Sequence, residues 1–541
     1  MVAGSNWFLG FAHQTHSKGE WIKGYQTRKN IADVVRERVM AGLFGASMAY
    51  DAFLLGFRIP NLTRDLFAEG ALASAFVPTF TELLATKGKK EAQELANLVA
   101  TAVLIVVGGF CVVGILLSPW IVRVLAPGFL DVPGKFDLAV TMTRCMFPFL
   151  LLVALAAQAN GILNACHSFF IPALASMFFN VVSVVTGLML GLWLGPYLGL
   201  SVLEGMAWGV LLGGLAQWLG QAPLLRKHGF TYRLRVNWSH PGLRRILKLM
   251  GPAILGNAAV QVNVMVNTYF ASLISDPVRG LDGPVSWLSY AFRFMQLPLG
   301  LFGQAIGSAT LPSITRSAVA GEMDEFRRTL SHSLGLVFLL TVPSSVGLIV
   351  LGQPMIGAIY QTGRFDLYDT QRTAAALACY AIGLAGYSAL KVIVPAFYTL
   401  QDSRTPMLVS LWSIAVNFFV SWYVTRHTSI GHPGLALSTS VVALFNFLVL
   451  FVILRNRIGG VYGRSLLATF TKVCAAASVM GACVWLSSRM IQASLGTHLA
   501  ARLVDLTVSI GLGLAVFYCL CRLLHVEELA LAVRSITRKK C

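Results

Sequence analysis

The sequence predicts an all-α polytopic membrane protein, and three observations predict it. Of its 541 residues 56% are apolar and 12% charged, about half the charged share of an ordinary soluble domain. The mean hydropathy is +0.70. Apolar runs of helical length recur from one end of the chain to the other, which excludes a transmembrane β-barrel, whose strands alternate apolar and polar residues. The excess of 42 Lys and Arg over 23 Asp and Glu gives a net charge of +19; in a membrane protein the cytoplasmic loops account for such an excess, so nucleic acid is not an expected partner. The nine cysteines are odd in number, lie mostly inside apolar runs and show no paired zinc spacing, so neither a disulfide framework nor a metal site is expected. No basic stretch followed by a short apolar run opens the chain, so no cleaved signal peptide is expected.

Taken in order, the spans fall at about 39–58, 66–85, 94–118, 137–160, 170–194, 198–221, 248–275, 284–312, 331–351, 372–396, 405–425, 434–455, 466–488 and 502–523. Fourteen helices of about 20–25 residues fit a bundle with short loops and no large soluble domain. Pro60 interrupts the first pair, which reads as one kinked helix and its continuation and lowers the count to thirteen clear spans. The loops alternate in charge. Those near 87–90, 226–245, 316–328 and 455–464 and the tail from Arg534 to Lys540 are rich in Lys and Arg and are expected in the cytoplasm; the loops holding Arg123, Arg279, Arg364 and Arg426 are poorer and are expected outside.

The chain repeats itself. Leu66-Phe67-Ala68-Glu69-Gly70 leading to Pro78 is echoed by Leu301-Phe302-Gly303-Gln304-Ala305 leading to Pro312, and Pro78 and Pro312 lie 234 positions apart. Pro172 and Pro406 share that offset, and Pro119 and Pro354 differ by 235. An even number of spans separates the copies, so they share an orientation, the parallel-repeat plan in which a transporter binds substrate between two lobes. The expected division is a polar N-terminal segment 1–38 replacing or degrading the first helix, an N-lobe 39–221, a basic cytoplasmic loop 222–247, a C-lobe 248–456, and a C-terminal part 457–541 of two extra helices and a basic tail. The polar segment follows from the repeat: shifting 248–275 back by 234 calls for a helix at about 14–41, yet residues 16–38 carry nine charges, too many to face lipid.

The run FGASMAYDAFLLGFRIPNLTRDLFAEGALASAFVPTF from Phe44 to Phe80 resembles the MurJ (MviN) family of lipid II flippases, within the multidrug/oligosaccharidyl-lipid/polysaccharide exporter superfamily. Leu125-Ala126-Pro127-Gly128-Phe129, Met250-Gly251-Pro252, Val285-Ser286-Trp287, the stretch Tyr290 to Pro298, and Gln401-Asp402 with Thr405-Pro406 extend the likeness over about residues 36–525. The resemblance implies two six-helix lobes in a V around a cationic cavity and two C-terminal helices, here 466–488 and 502–523, that hold a groove for the lipid tail. It implies a bacterial inner-membrane protein, not an enzyme, that moves undecaprenyl-pyrophosphate-linked disaccharide-pentapeptide from the inner to the outer leaflet. Its partners are that lipid and the surrounding membrane lipids, and it uses no cofactor beyond a coupling cation or the membrane potential. The family's first helix carries a Ser-Arg pair and a further Arg six positions on. Here Arg36 fits the later Arg, but Asn30 stands six before it and the nearest pair is Thr27-Arg28.

The candidate substrate-binding residues are Arg64, Arg293, Arg36, Asp51, Glu69, Asn61 and Gln296. An Arg inside a membrane helix costs roughly 2.5–3.5 kcal/mol on insertion scales, so it calls for an anion or a wet cavity. A pyrophosphate is such an anion, and the guanidinium fork donates two hydrogen bonds to phosphate where Lys acts as a point charge. Snorkelling or pairing with Asp65 or Glu69 is the structural reading for Arg64; Arg293 has no acid within ten positions. Asp51 and Glu69 either orient an Arg and contact sugar or peptide, or neutralise a neighbour. Asn61 either binds substrate or satisfies backbone freed by Pro60. Gln296 shares a helix face with Arg293. Asn257, Gln261, Asn263 and Asn267 form two polar stripes that either line the cavity or bond between helices. Export of another polyprenyl-linked saccharide or of drugs, and an inactive regulatory relative, are the competing readings. An enzyme acting on polyprenyl phosphate would need clustered acids for Mg²⁺, which this chain lacks.

Overall fold

The computed structural model describes residues 34–64, 72–460 and 462–529, and among these the fold is helical with no strand. Residues 34–44 form α1. Then follow α2 (Met48–Arg64), α3 (Ala73–Thr86), α4 (Lys89–Leu125), α5 (Lys135–Met146), α6 (Phe149–Ala165), α7 (Phe170–Leu188), α8 (Gly195–Leu198), α9 (Val202–Leu219), α10 (Ala222–Lys227) and α11 (Pro241–Leu273). The second half contains α12 (Pro284–Pro298), α13 (Ala305–Ala320), α14 (Met323–Tyr360), α15 (Leu367–Ile382), α16 (Leu384–Thr399), α17 (Arg404–His427), α18 (His432–Arg457), α19 (Gly463–Leu495) and α20 (Leu499–Leu523). Two π-helical turns, Met189–Leu194 and Leu299–Gln304, continue α7 and α12.

Among the described residues nine helices are long and apolar enough to cross a membrane, and α15 with α16, bent by 41°, makes a tenth. These ten coincide with ten of the fourteen expected spans. The other four are 39–58, 66–85, 248–275 and 284–312, and they are the stretches that carry the candidate site residues of α2, α11 and α12. In 284–312 the reason is chemical, since Arg293, Gln296 and Gln304 dilute the apolar run. In 39–58 the helix breaks. Pro60 lies inside α2, which runs on to Arg64, and the chain interrupts earlier, at Gly45, whose φ of +59° favours glycine. A proline at that depth loses one hydrogen bond without ending the helix.

The contacts divide the chain into two units. The first holds Ala52–Val124 and Val132–Gln261 together with the residues up to Met40; the second holds Ala41–Asp51, Leu125–Asp131 and the residues from Val262 onward. In the first unit α7 and α9 pack backbone to backbone through glycine. A Cβ on Gly205 would lie 2.3 Å from Gly191 N, and one on Gly209 2.4 Å from Ser183 O. Gly213 and Gly214 are likewise filled by Phe179 and Phe149 at 2.7 Å, so they serve close helix packing. A capping box starts α9: Ser201 Oγ accepts from Glu204 N and Glu204 Oε2 accepts from Ser201 N.

In the second unit the core gathers Phe326, Leu334, Val337, Ile393 and Phe397 against Val473, Ala477 and Cys521 of the two C-terminal helices. Buried polar groups tie that hairpin together, with Asp505 accepting from Ser488, Gln492 and Ser509. The repeat is visible in the backbone as well. His167 and Gln401, 234 positions apart, both take positive φ, at 59° and 57°. Gly45 and Gly280, 235 apart, do so at 59° and 62°.

Candidate functional site

The best-defined candidate is Arg293, because α12 around it is fixed on every other side. Trp287, Tyr290, Ala291, Phe294, Met295 and Pro298 recur at helical spacing and are buried. Tyr290 stacks on Tyr50 at 5.0 Å and meets Tyr360 and Phe365 at 4.8 and 5.2 Å. The opposite stripe is less enclosed: Ser289, Phe292 and Arg293 are half-buried, with Phe292 meeting Tyr380 at 5.4 Å, and Gln296, one turn on, is exposed. The stripe runs into the π turn Leu299–Gln304, a feature common at functional sites.

Asp51 lies fully buried and holds the start of this helix. Its carboxylate accepts from the N–H of Gly283 at 2.9 Å and of Ser286 at 3.0 Å, and from the Ser286 hydroxyl. These are first-turn N–H groups with no partner inside the helix, where a negative charge also meets the positive end of the dipole. Trp287 is held in turn by Nε1 donating to Asp369 at 3.0 Å.

In the first unit Arg36 is enclosed by protein groups. It pairs with Glu37 at 3.1 Å, donates to Asn180 Oδ1 at 3.2 Å, and lies over the rings of Phe57 and Phe179 at 5.4 and 5.8 Å. Arg64 ends α2 with a half-buried side chain, and Asn61 is one turn before it, also half-buried. Glu69 and Asp65 lie outside the described residues, as do residues 1–33 of the polar N-terminal segment. The second polar stripe of α11 bonds between helices: Asn263 donates to Ser413 Oγ, Asn417 donates to Asn263 O, and Asn267 donates to Thr439 Oγ1.

One polar cluster left no local pattern in the sequence, because its members come from the loop after α11, the start of α15 and the start of α18. Arg372 pairs with Asp276 at 2.7 Å, and Arg279 pairs with Asp366 at 2.7 Å and with Asp369 at 3.3 Å. His432 Nε2 donates to the carbonyl of Arg372 at 3.0 Å. Burial pushes Asp276 upward, but the Tyr368 hydroxyl, the N–H groups of Val278 and Arg279, and Arg372 outweigh it and hold this carboxyl below its ordinary value. The signal that was present is the spacing of Asp366 and Asp369, an N-cap and its first-turn acid. The Gln401-Asp402…Thr405-Pro406 motif also acquires a structural role. Asp402 accepts from the N–H groups of Arg404 and Thr405 and from Thr405 Oγ1, and it pairs with Arg457.

A multi-pass helical chain built as two repeats, with arginines in the helices least able to face lipid, defines a membrane transporter. A model of the family described as Lipid II flippase MurJ matches residues 40–504. The chain is 35% identical over 445 residues to the Lipid II flippase MurJ of Burkholderia cenocepacia, covering 82% of this chain and 83% of that one. It is 32% identical over 511 residues to the Probable lipid II flippase MurJ of Vibrio cholerae, covering 92% and 94%. The chain belongs to the MurJ family. Its fold matches a structure of lipid II flippase MurJ in an inward closed conformation with a TM-score of 0.75 at 22% identity, over 92% of this chain and 98% of that one. An inward-facing multidrug resistance MATE family transporter of the MOP superfamily matches with a TM-score of 0.67 at 15% identity, over 80% and 94%.

Proposed function

We infer that this protein flips lipid II, the lipid-linked peptidoglycan precursor, across the bacterial inner membrane. The observation that carries the reading is the match to MurJ relatives along most of the chain. Arg293, half-buried on the stripe of α12 that leads to the exposed Gln296, supports it, because the guanidinium fork suits the diphosphate of the substrate. We assign Arg293 and Arg64 to the pyrophosphate, with Gln296 and Asn61, each about one turn away on the same helix, to neighbouring polar groups of the headgroup. Arg36 acts more indirectly, since Glu37 and Asn180 already occupy it. Asp51 serves by fixing the helix that carries Arg293, and Glu69 remains assigned to the substrate site on the strength of its place in the FAEGALASAFVP run.

The substrate crosses by alternating access between the two repeats, outward from the cytoplasmic leaflet. No G-x-x-x-x-G-K-[ST] sequence is present, so the driving force comes from the membrane potential or a coupled cation, the potential contributing roughly 2.3 kcal/mol per charge per 100 mV. Complementation tests the reading: cells depleted of their own flippase should regain growth and outer-leaflet lipid II when this chain is expressed. Insertion at normal level without either would overturn it.

A further inference from the structure

The segment between α10 and α11 is extended, and its path follows a ladder built by α4. Thr231 N donates to Gln93 Oε1 at 3.1 Å, Arg233 N to Asn97 Oδ1 at 3.1 Å, and Arg235 N to Thr101 Oγ1 at 3.0 Å. Gln93 Nε2 returns a bond to Thr231 O at 2.6 Å. Every second residue of the extended segment thus meets every fourth residue of the helix. In extended chain alternate side chains share a face, and the residues between the rungs are Tyr232, Leu234 and Val236, followed by Trp238. They are 37%, 78%, 65% and 43% exposed, Tyr232 keeping one side of its ring against Trp218 of α9 at 5.8 Å. An exposed row of two aliphatic and two aromatic side chains is unusual in a loop.

The ladder also fixes where this row lies. On α4 the residues from Leu95 to Val103 are buried in the bundle, and exposed apolar side chains begin at Leu104 and continue to Val124. That interval of 21 residues measures about 31 Å along the helix, the thickness of a hydrocarbon core. The rungs climb from Gln93 to Thr101, so the strap ends one helical turn short of the hydrocarbon edge. It turns at Trp238 and returns, so that a Cβ on Gly242 would lie 3.0 Å from Leu95 Cδ1. Trp238 is therefore at the tip nearest the acyl chains, and Trp and Tyr favour that boundary. Charge agrees with depth. Seven cations lie between residues 226 and 248, with no acid between Glu204 and Asp276; Arg235 reaches Glu94 only at 3.8 Å, and Arg245 pairs with Glu82.

We propose that Thr231–Trp238 is a membrane-interface strap: its Tyr232, Leu234, Val236 and Trp238 face is immersed at the headgroup boundary of the adjacent leaflet, and the basic residues flanking it bind anionic phospholipid headgroups. Single spin labels test this in an otherwise cysteine-free, full-length protein reconstituted in vesicles of phosphatidylcholine with phosphatidylglycerol. Leu234→Cys, Val236→Cys and Trp238→Cys should gain collisions with oxygen and lose them with a water-soluble nickel complex, while Arg233→Cys and Arg235→Cys show the reverse. In vesicles of phosphatidylcholine alone the contrast should shrink. Equal nickel access at all five positions overturns the immersion, as does shielding that arises only when cytosolic protein is added, which would mark a soluble partner. A contrast unchanged by removing the anionic lipid overturns the headgroup assignment.

Discussion

Arg293 and Asp51 lie at the two ends of one argument about α12. Arg293→Ala should abolish complementation with protein level and membrane insertion unchanged, and Arg293→Lys should restore part of it, because the charge stays while the fork is lost. Asp51→Ala should instead lower the thermal unfolding midpoint in detergent, since buried first-turn N–H groups lose their acceptor at about 1–3 kcal/mol; Asp51→Asn should recover most of it. An unchanged midpoint for Asp51→Ala would return this residue to the substrate. Asp276 gives a pH prediction. Its folded value is depressed, so its contribution is complete above the ordinary carboxylate value near 4 and is lost as pH falls through the folded value. Protease resistance of the loop after α11 should be flat from neutral pH down to about 4 and fall below that; a decline that begins near pH 6 would contradict the assignment.

At the scale of elements, Pro127-Gly128-Phe129 shows how a motif can be structural. Phe129 is fully buried, and a Cβ on Gly128 would stand 1.9 Å from Ser272 O and 3.3 Å from Leu273 Cα. Gly128→Ala must separate these backbones, so folded yield should drop sharply, whereas Gly134→Ala, in open space, should cost only its left-handed φ. Comparable yields would mean the contact is looser than the distances say. The ten apolar spans were legible in the sequence because lipid exposure demands long apolar runs. The helices around the site were less so, since a wall shielded from lipid tolerates Arg, Gln and Asn and so loses the hydropathy signal. Arg293 was still legible, as a charge inside an apolar run with no acid within ten positions. That Asp51 caps α12, 232 positions away, was not, because a long-range acceptor leaves no local pattern.

For the whole molecule, the charge asymmetry of the loops predicts that positions 87–90, 226–245, 316–328 and 455–464 face the cytoplasm. Single cysteines there should resist a membrane-impermeant reagent applied to intact cells and react after lysis; labelling of two such loops from outside would invert the topology. The repeat was legible from prolines in step, and the shared positive φ of His167 and Gln401 gives it a backbone counterpart. The segment joining the two sequence repeats, meanwhile, behaves as a vernier. Two residues of extended chain advance about 6.6 Å and four of helix about 6.0 Å, so the scales drift by about 0.6 Å per division and stay in step across the two divisions between the three rungs. The next mark on the helix is Ile105, which offers no acceptor, and Asn237 turns to Ser239 N instead. Such a scale admits one reading. Slipping by one residue would move the apolar row to the opposite face, and slipping by two would strand a rung, so the length of chain allotted to the crossing between repeats is measured out by Gln93, Asn97 and Thr101.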